Sequence, residues 1–223
     1  MCSYFFIIKH KFKRNTMTIT DDYLELQEKY AKKYGENTIL LMQIGHFFEA
    51  YAIDNSVEKS NSENIYRISD ILNIQLTRKN KNIIENSRGN PIMIGVNIWS
   101  IDKYITLLLN ANYTTVVIEQ VSEPPDPQRK VTGIYSPGTN VLHNNKGDSN
   151  NLLDIYINIY SDIRKYKDIM TIGISTIDLS TGKSVVFETH SDVNDLNLGL
   201  DETFRFIQTF DPKEIIVNIK DET

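Results

Sequence analysis

The chain has 223 residues, about one and a half domains at roughly 150 residues each, and its 40% hydrophobic and 24% charged residues exclude a mainly disordered chain. Its longest apolar runs, such as Ile39-Leu40-Leu41-Met42, fall far below the roughly 18 residues of a membrane span, and a single cysteine, Cys2, excludes a disulfide framework and a cysteine-based zinc site and fits a reducing, intracellular setting. The net charge of −5 speaks against a nucleic-acid binder until it is divided: residues 1–130 carry 16 Lys/Arg and 15 Asp/Glu, net +1, and residues 131–223 carry 8 and 14, net −6, which points to two units with different partners.

The first twenty residues contain no acid, and Tyr4-Phe5-Phe6-Ile7-Ile8 precedes Lys9, Lys11, Lys13 and Arg14. Residues 1–19 read as a basic leader, either unstructured, with Met17 as an alternative start, or of the kind that addresses a protein to an organelle. Thr20 is placed to cap a helix whose first turn holds Asp21 and Asp22, suited to the positive helix end. Tyr23, Leu26, Tyr30 and Tyr34 repeat at helical spacing, and Gly35 ends the helix. Residues 39–45 and 47–51 read as strands about a Gly45-His46 turn. Residues 54–64 read as loop, and Ile65, Ile68, Ile71 and Leu72 mark a short helix. Residues 74–77 read as a short strand, 78–90 as a polar, basic loop and 91–96 as a strand. Ser100 is placed to cap a helix with Ile101, Tyr104, Ile105 and Leu108 inward, and residues 114–120 form a β-branched strand. This first unit spans residues 20–122.

Pro124, Pro125 and Pro127 make an extended connector, followed by a short strand at 131–135 and a Ser136-Pro137-Gly138 turn, so residues 123–150 read as linker. A second unit then fills residues 151–223. Leu153, Ile155, Ile157 and Ile159 alternate with polar or aromatic residues, the period of a strand. Residues 169–179 and 183–188 flank a Ser180-Thr181-Gly182 turn, a hairpin signal. Residues 192–209 read as a helix with Leu196, Leu200, Phe204 and Ile207 as its apolar stripe, and 214–218 as a strand. The order β-β-β-α-β suggests an α/β fold, the front of a ribonuclease-H-like sheet that is expected to be incomplete. Codon bias toward A and T explains part of the wealth of Ile, Asn, Lys and Tyr.

Catalytic signatures are weak. Gly182-Lys183-Ser184 matches the end of a phosphate-binding loop, but the first glycine of that motif is Ile177 here and a strand follows where a helix should open. His10, His46, His143 and His190 are scattered. Asp178 stands near a strand end before a tight turn, where a metal-binding carboxylate of a nuclease would stand, with Asp192, Asp195 and Glu214 as its candidate partners. The alternative is that Asp178 stabilises its own turn.

The informative run is Gln43-Ile44-Gly45-His46-Phe47-Phe48-Glu49-Ala50-Tyr51. On a strand Phe47, Glu49 and Tyr51 share one face, and Phe48 and Ala50 the other. If Phe48 is core, Phe47 is exposed beside a carboxylate, as a wedge between base pairs would be. If Phe47 is core, Glu49 is a solvated edge charge.

Gly45-His46-Phe47-Phe48-Glu49 resembles the G-x-F-Y-E motif of the mismatch-recognition domain of the DNA mismatch repair protein MutS. Further segments follow in that family's order. Leu72-Asn73-Ile74-Gln75-Leu76-Thr77-Arg78 resembles L-x-I-x-L-T-x-R, and Pro91-Ile92-Met93-Ile94-Gly95-Val96 resembles P-M-x-G-[IV]. Tyr104-Ile105 with Leu108 resembles Y-[IL]-x-x-L, and Val116-Val117-Ile118-Glu119-Gln120 resembles V-A-I-x-E-Q, shortened here by one residue before Glu119. Arg129-Lys130-Val131 with Ser136-Pro137-Gly138-Thr139 resembles R-x-V…T-P-G-T. Asn151-Leu152-Leu153 and Asp178-Leu179-Ser180-Thr181-Gly182 resemble segments opening the family's connector domain. The likeness runs from about Asp21 to Asn218. It departs at Phe48, where Tyr is usual, and at Asn97 and Trp99, where the family's G-[IV]-P-x-H has Pro and His.

The resemblance implies a mixed-sheet α/β mismatch-recognition domain followed by an incomplete ribonuclease-H-like connector. It implies binding of double-stranded DNA with mismatches or small loops. Phe47 would enter the minor groove and Glu49 would hydrogen-bond the displaced base. Arg78, Lys79 and Lys81, with Arg88, would reach phosphates, or else form a solvated basic loop. No catalytic residue and no cofactor are expected in this chain, since ATP and Mg belong to the family's ATPase region. Dimerisation is expected through other regions, with no membrane partner.

Overall fold

The computed structural model describes residues 18–123, 127–139, 149–162, 167–192, 194–195 and 197–221. The basic residues at 9–14, Cys2, Pro124, Pro125, His143 and Leu196 lie outside these ranges.

The first helix, α1 (Ile19–Tyr34), is capped by Thr18 rather than Thr20. The Thr18 hydroxyl accepts from the Asp21 amide at 3.2 Å, and the Asp21 carboxylate accepts from the Thr18 amide at 2.9 Å. This reciprocal box needs its acid three residues after the cap, a spacing that Thr18 has and Thr20 lacks. Thr20 is buried inside the first turn instead. Gly35 closes the helix at φ 97°, its amide donating to Ala31 O.

Seven strands follow in one sheet: β1 (Thr38–Ile44), β2 (Phe47–Asp54), β3 (Lys59–Ser60), β4 (Thr77–Arg78), β5 (Ile92–Asn97), β6 (Thr114–Gln120) and β7 (Arg129–Tyr135). The spatial order is β4-β5-β2-β1-β6-β7, with β3 added to β2. β1 runs antiparallel to β2 and parallel to β6. The strand expected inside the linker, β7, pairs with β6, so the sheet continues to Tyr135, beyond residue 122. Two further helices, α2 (Ser62–Leu72) and α3 (Ile101–Asn110), pack on β2, β5 and β6 and on each other, while α1 packs on β1 and β2. Ile39, Leu40, Leu41, Ala50, Ala52, Ile65, Ile68 and Val116 are fully buried at the centre. Successive residues of β1 and β6 are buried, which requires cover on both faces of the sheet.

β1 and β2 pair only from Met42↔Glu49 to Ile44↔Phe47. Toward the start of β1 its β2-facing backbone groups are taken by side chains. Gln27 Nε2 donates to Thr38 O at 2.6 Å and its Oε1 accepts from Leu40 N at 2.8 Å. The Tyr23 hydroxyl donates to Leu40 O at 3.0 Å, and Asn64 Nδ2 donates to Thr38 O at 2.9 Å. These bonds satisfy buried peptide groups that would otherwise lack partners.

Three local expectations are corrected in this unit. Residues 74–76 do not extend as a strand, because Asn73 adopts a left-handed conformation and the Ile74 amide and carbonyl are both held by Ser69 at the end of α2. Ser100 makes no side-chain cap; a 3-10 turn at Ile98–Ser100 precedes α3, and Asn97 caps that turn by accepting from Trp99 N at 3.0 Å. The loop at 54–64 holds β3 and the start of α2.

A second sheet has the order β10-β9-β8-β11. β8 (Asn151–Asp162), β9 (Lys167–Asp178) and β10 (Ser184–His190) run antiparallel in sequence. After α4 (Leu198–Phe210), β11 (Glu214–Asp221) returns parallel to β8. The whole chain is therefore α/β with mixed sheets. Leu153, Ile155, Ile172 and Ile174 form the second core, with Phe187, Phe206 and Ile207 against it. α4 starts at Leu198, six residues later than expected. Asp192 and Asp195 spend their carboxylates on the amides of Asn194 and Asn197, a turn geometry that competes with helix. Its inner face is Gly199, Thr203, Phe206 and Ile207, whereas Leu200 and Phe204 are exposed. Among the described residues no helix is long and apolar enough to cross a membrane.

Replacing Gln27 by Leu keeps the volume and orphans the Leu40 amide. The expected loss is about 1–3 kcal/mol, measured by urea denaturation. The exposed Glu25→Ala control should stay within about 0.5 kcal/mol. Equal effects would show that the Gln27 bonds add nothing.

Candidate nucleic-acid interface

The hairpin joining β1 to β2 turns through Gly45 and His46. Gly45 has φ +60°, a conformation that costs most side chains strain and glycine little. The turn is braced by Gln43, whose side-chain amide donates to Gly45 O at 3.1 Å and whose side-chain oxygen accepts from Gln120 N at 2.9 Å. Arg129 Nε adds a bond to Gln43 O at 3.2 Å. β2 therefore begins at a tip tied to β6 and β7, and Phe47 is its first residue.

Along β2, Phe48 and Ala50 are buried, at 4% and 0% exposure. The opposite face is graded. Tyr51 is buried, Glu49 is half-buried and Phe47 is 47% exposed. The gradient follows α1. The Tyr23 ring meets the Tyr51 ring edge-on at 5.1 Å, and the cover thins toward the tip. Phe47 pairs with Ile44 on one side and Asn97 on the other, so its backbone is held from both flanks while its ring faces out.

Glu49 lies between Met42 and Gly95 in the sheet, and Gly95 has no side chain to crowd it. Its carboxylate accepts a hydrogen bond from the Tyr51 hydroxyl. Burial raises the Glu49 pKa above the ordinary carboxylate value, against the opposing effects of the Tyr51 bond and the Lys79 charge. The Tyr51 hydroxyl is itself pushed up by burial and by the carboxylate that it serves. Glu49 is thus not a solvated edge charge. It is a partly desolvated carboxylate held by one internal hydrogen bond.

The basic loop separates into two parts. Arg88 is committed within the protein. Its guanidinium bonds Asp21 Oδ1 and Glu58 Oε1, each at 2.7 Å, and holds both carboxyls below their usual range. Lys79 and Lys81 are exposed, and the Lys79 charge reaches Glu49. Arg78 is half-buried at the end of β4 and donates weakly to Ile83 O at 3.4 Å. The loop that carries them is shaped by Asn90, which bonds the carbonyls of Ile83 and Glu85 and the amide of Asn80. Arg129 is the residue of this region that sequence reading left without a role; only its place in the R-x-V segment singled it out.

The candidate metal site does not assemble. Asp178 Oδ1 accepts from the amides of Ser180 and Asn150, and Oδ2 accepts from the Thr181 hydroxyl at 2.7 Å. The Thr181 bond is the first cause of a lowered Asp178 pKa, followed by the two amides. Glu214 is taken by the Ser136 hydroxyl and the Gly138 amide, and Asp192 and Asp195 by their own turn. No cluster of three His, Cys, Asp or Glu side chains occurs among the described residues. Gly182 is a turn residue at φ +73° leading into β10, so the residues after it do not open a helix.

An α/β unit with an aromatic and a carboxylate at a braced hairpin tip is the class that fold and site define, and the family model described as MutS domain I matches it over residues 20–144. A putative DNA mismatch repair protein mutS homolog of Acanthamoeba polyphaga mimivirus is 35% identical over 201 residues, covering 90% of this chain and 18% of that protein. DNA mismatch repair proteins MutS of Thermodesulfovibrio yellowstonii and Staphylococcus carnosus are each 28% identical, covering 87% and 91% of the chain and 19% and 20% of those proteins. The chain belongs to the MutS family. It spans about a fifth of the length of these relatives.

A raised folded pKa means that Glu49 favours folding when protonated and loses that contribution as pH rises through its folded value. Glu49→Gln should therefore raise the melting temperature at neutral pH, at about 2–4 °C per kcal/mol for a chain of this size. The difference should vanish below the unfolded carboxylate pKa of about 4.3. A pH-independent difference would show that burial of the charge is not the cause.

Proposed function

We propose that this chain is the mismatch-recognising part of a DNA mismatch repair protein. It binds duplex DNA at mispaired or unpaired bases by inserting Phe47 from the minor groove. The observation that carries the reading is the hairpin tip itself. One strand face presents a half-exposed aromatic ring with a partly desolvated carboxylate two residues behind it. An exposed ring on a backbone paired from both sides is suited to push between bases without folding back.

Opening a base step costs a few kcal/mol, and kinking the duplex about 1–6 kcal/mol more. A mismatched step is already weakly stacked and bends at lower cost, so the same wedge discriminates without reading sequence. Glu49 adds the second part. An ionised carboxylate repels phosphates, so its place beside Phe47 suits it to selectivity, through a hydrogen bond to the displaced base, and burial shifts it in the direction of holding the proton that such a bond needs. Tyr51 keeps the carboxylate aimed while that happens. Lys79 and Lys81, with Arg78 at the base of the loop, supply phosphate contacts. The near-neutral charge of residues 1–130 makes these few, and binding is weak and salt-sensitive. The second unit acts as connector to the remainder of a longer, dimeric protein whose other regions hold ATP and Mg.

Phe47→Ala should abolish the preference for mismatched over matched duplex and leave the circular dichroism unchanged. Glu49→Ala should narrow the same ratio. Both are measured by mobility shift in low salt with matched competitor. Unfolding of the Phe47 variant would make Phe47 a core residue. No shift of either duplex by the parent chain would leave an interaction module without DNA binding, and equal binding of both would remove the mismatch preference.

A further inference from the structure

Trp99 is the single tryptophan of the chain, and it is 88% exposed. Its backbone is nevertheless rigidly held. It occupies the middle of the 3-10 turn Ile98–Ser100, with its amide bonded to the Asn97 side chain at 3.0 Å. The Ser100 hydroxyl donates to Asn97 O at 3.1 Å. The preceding amide, Ile98 N, donates to His46 O at 3.1 Å, which docks the turn on the β1–β2 tip. Asn97 is the register partner of Phe47. An antiparallel pair sets those two Cα atoms about 4.5–5.5 Å apart, and Trp99 lies at most about 7 Å further along the chain. Both residues therefore stand at one end of the β2–β5 pair, with Cα atoms at most about 12 Å apart, a span of about four base pairs at the 3.4 Å rise of a duplex.

A large apolar ring that is exposed on a fixed backbone makes sense if an external surface covers it. The nearest charges along the chain, Asp102 and Lys103, have opposite sign and leave no net charge on this stretch. We infer that Trp99 is a second aromatic contact to duplex DNA, packing on the deoxyribose wall of the minor groove beside the step that Phe47 enters. This rests on the reading of Phe47 given above and adds a division of labour to it. Sugar edges are alike at matched and mismatched steps. The indole N–H finds an acceptor in the minor groove whichever way an A·T pair lies. Trp99 thus adds affinity without selectivity, and Phe47 adds selectivity.

Because the chain has one tryptophan, selectively excited indole emission reports this site alone. Adding duplex should quench and blue-shift the emission, along the same binding curve as the mobility shift. Trp99→Ala should weaken matched and mismatched duplex alike, by about tenfold, with the salt slope unchanged because no phosphate contact is lost. Trp99→Phe should restore most of the affinity. Unchanged emission while the mobility shift shows bound duplex would overturn the Trp99 contact and leave the Phe47 reading standing. A Phe47→Ala variant that keeps its mismatch preference while Trp99 is quenched would overturn the wedge and support the second contact. Absence of duplex binding in both assays overturns both.

Discussion

The arrangement at the β1–β2 tip depends on how one gap in the sheet is filled. β1 and β2 form a hairpin of only three register pairs and then part, which leaves buried peptide groups of β1 without strand partners. Gln27 and Tyr23 from α1, with Asn64 from α2, supply them. An unpaired buried amide or carbonyl costs about 1–3 kcal/mol, so Gln27 and Tyr23 hold α1, and Asn64 holds α2, in place against the sheet. That position puts the Tyr23 ring on Tyr51, buries Tyr51, and aims its hydroxyl at Glu49. From there the exposure of the strand face rises step by step to Phe47. A cap at Thr18 and an ion pair from Arg88 to Asp21 secure the other end of the same helix.

Much of the fold is legible in the sequence because its strands are short and strongly patterned. The parallel strand at 114–120 has its expected bounds, and the β-β-β-α-β order of the second sheet is as read. What is not legible is which polar side chain replaces a missing backbone partner. Thr18 and Thr20 are equally good caps by residue type; only the position of Asp21 decides between them. Leu200 and Phe204 are as apolar as Ile207, but α4 starts late and the inner face goes to Gly199 and Thr203. The asparagines are the clearest case. Composition gives no reason to value any one of them. Yet Asn61, Asn64, Asn86 and Asn90 each bond backbone across the first unit. No local pattern announces such contacts, because the partners lie up to dozens of residues away.

The site divides in the same way. Alternation along residues 47–51 is visible in the sequence and places Phe47 opposite Phe48. The electrostatic state of Glu49 is not visible, since it arises from burial in the folded sheet, opposed by Tyr51 two residues along and by the charge of Lys79 thirty residues away. Arg88 looked equivalent to Lys79 and Lys81 as part of one basic loop, but Asp21 and Glu58 converge on it from 67 and 30 residues away.

The parallel pairing of β1 with β6 has a consequence for how the chain is made. Thr38 waits for Thr114, its register partner. At synthesis rates of about 5–20 residues per second, that partner emerges roughly 4–15 s later. The antiparallel hairpin and α1 assemble at once, but the other edge of β1, with Ile39, Leu40 and Leu41, stays open for that interval. Pairings of such sequence separation are intrinsically slow to form. The nascent first unit therefore passes through a period with a bare apolar strand edge, in which chaperone capture and edge-to-edge association compete with folding.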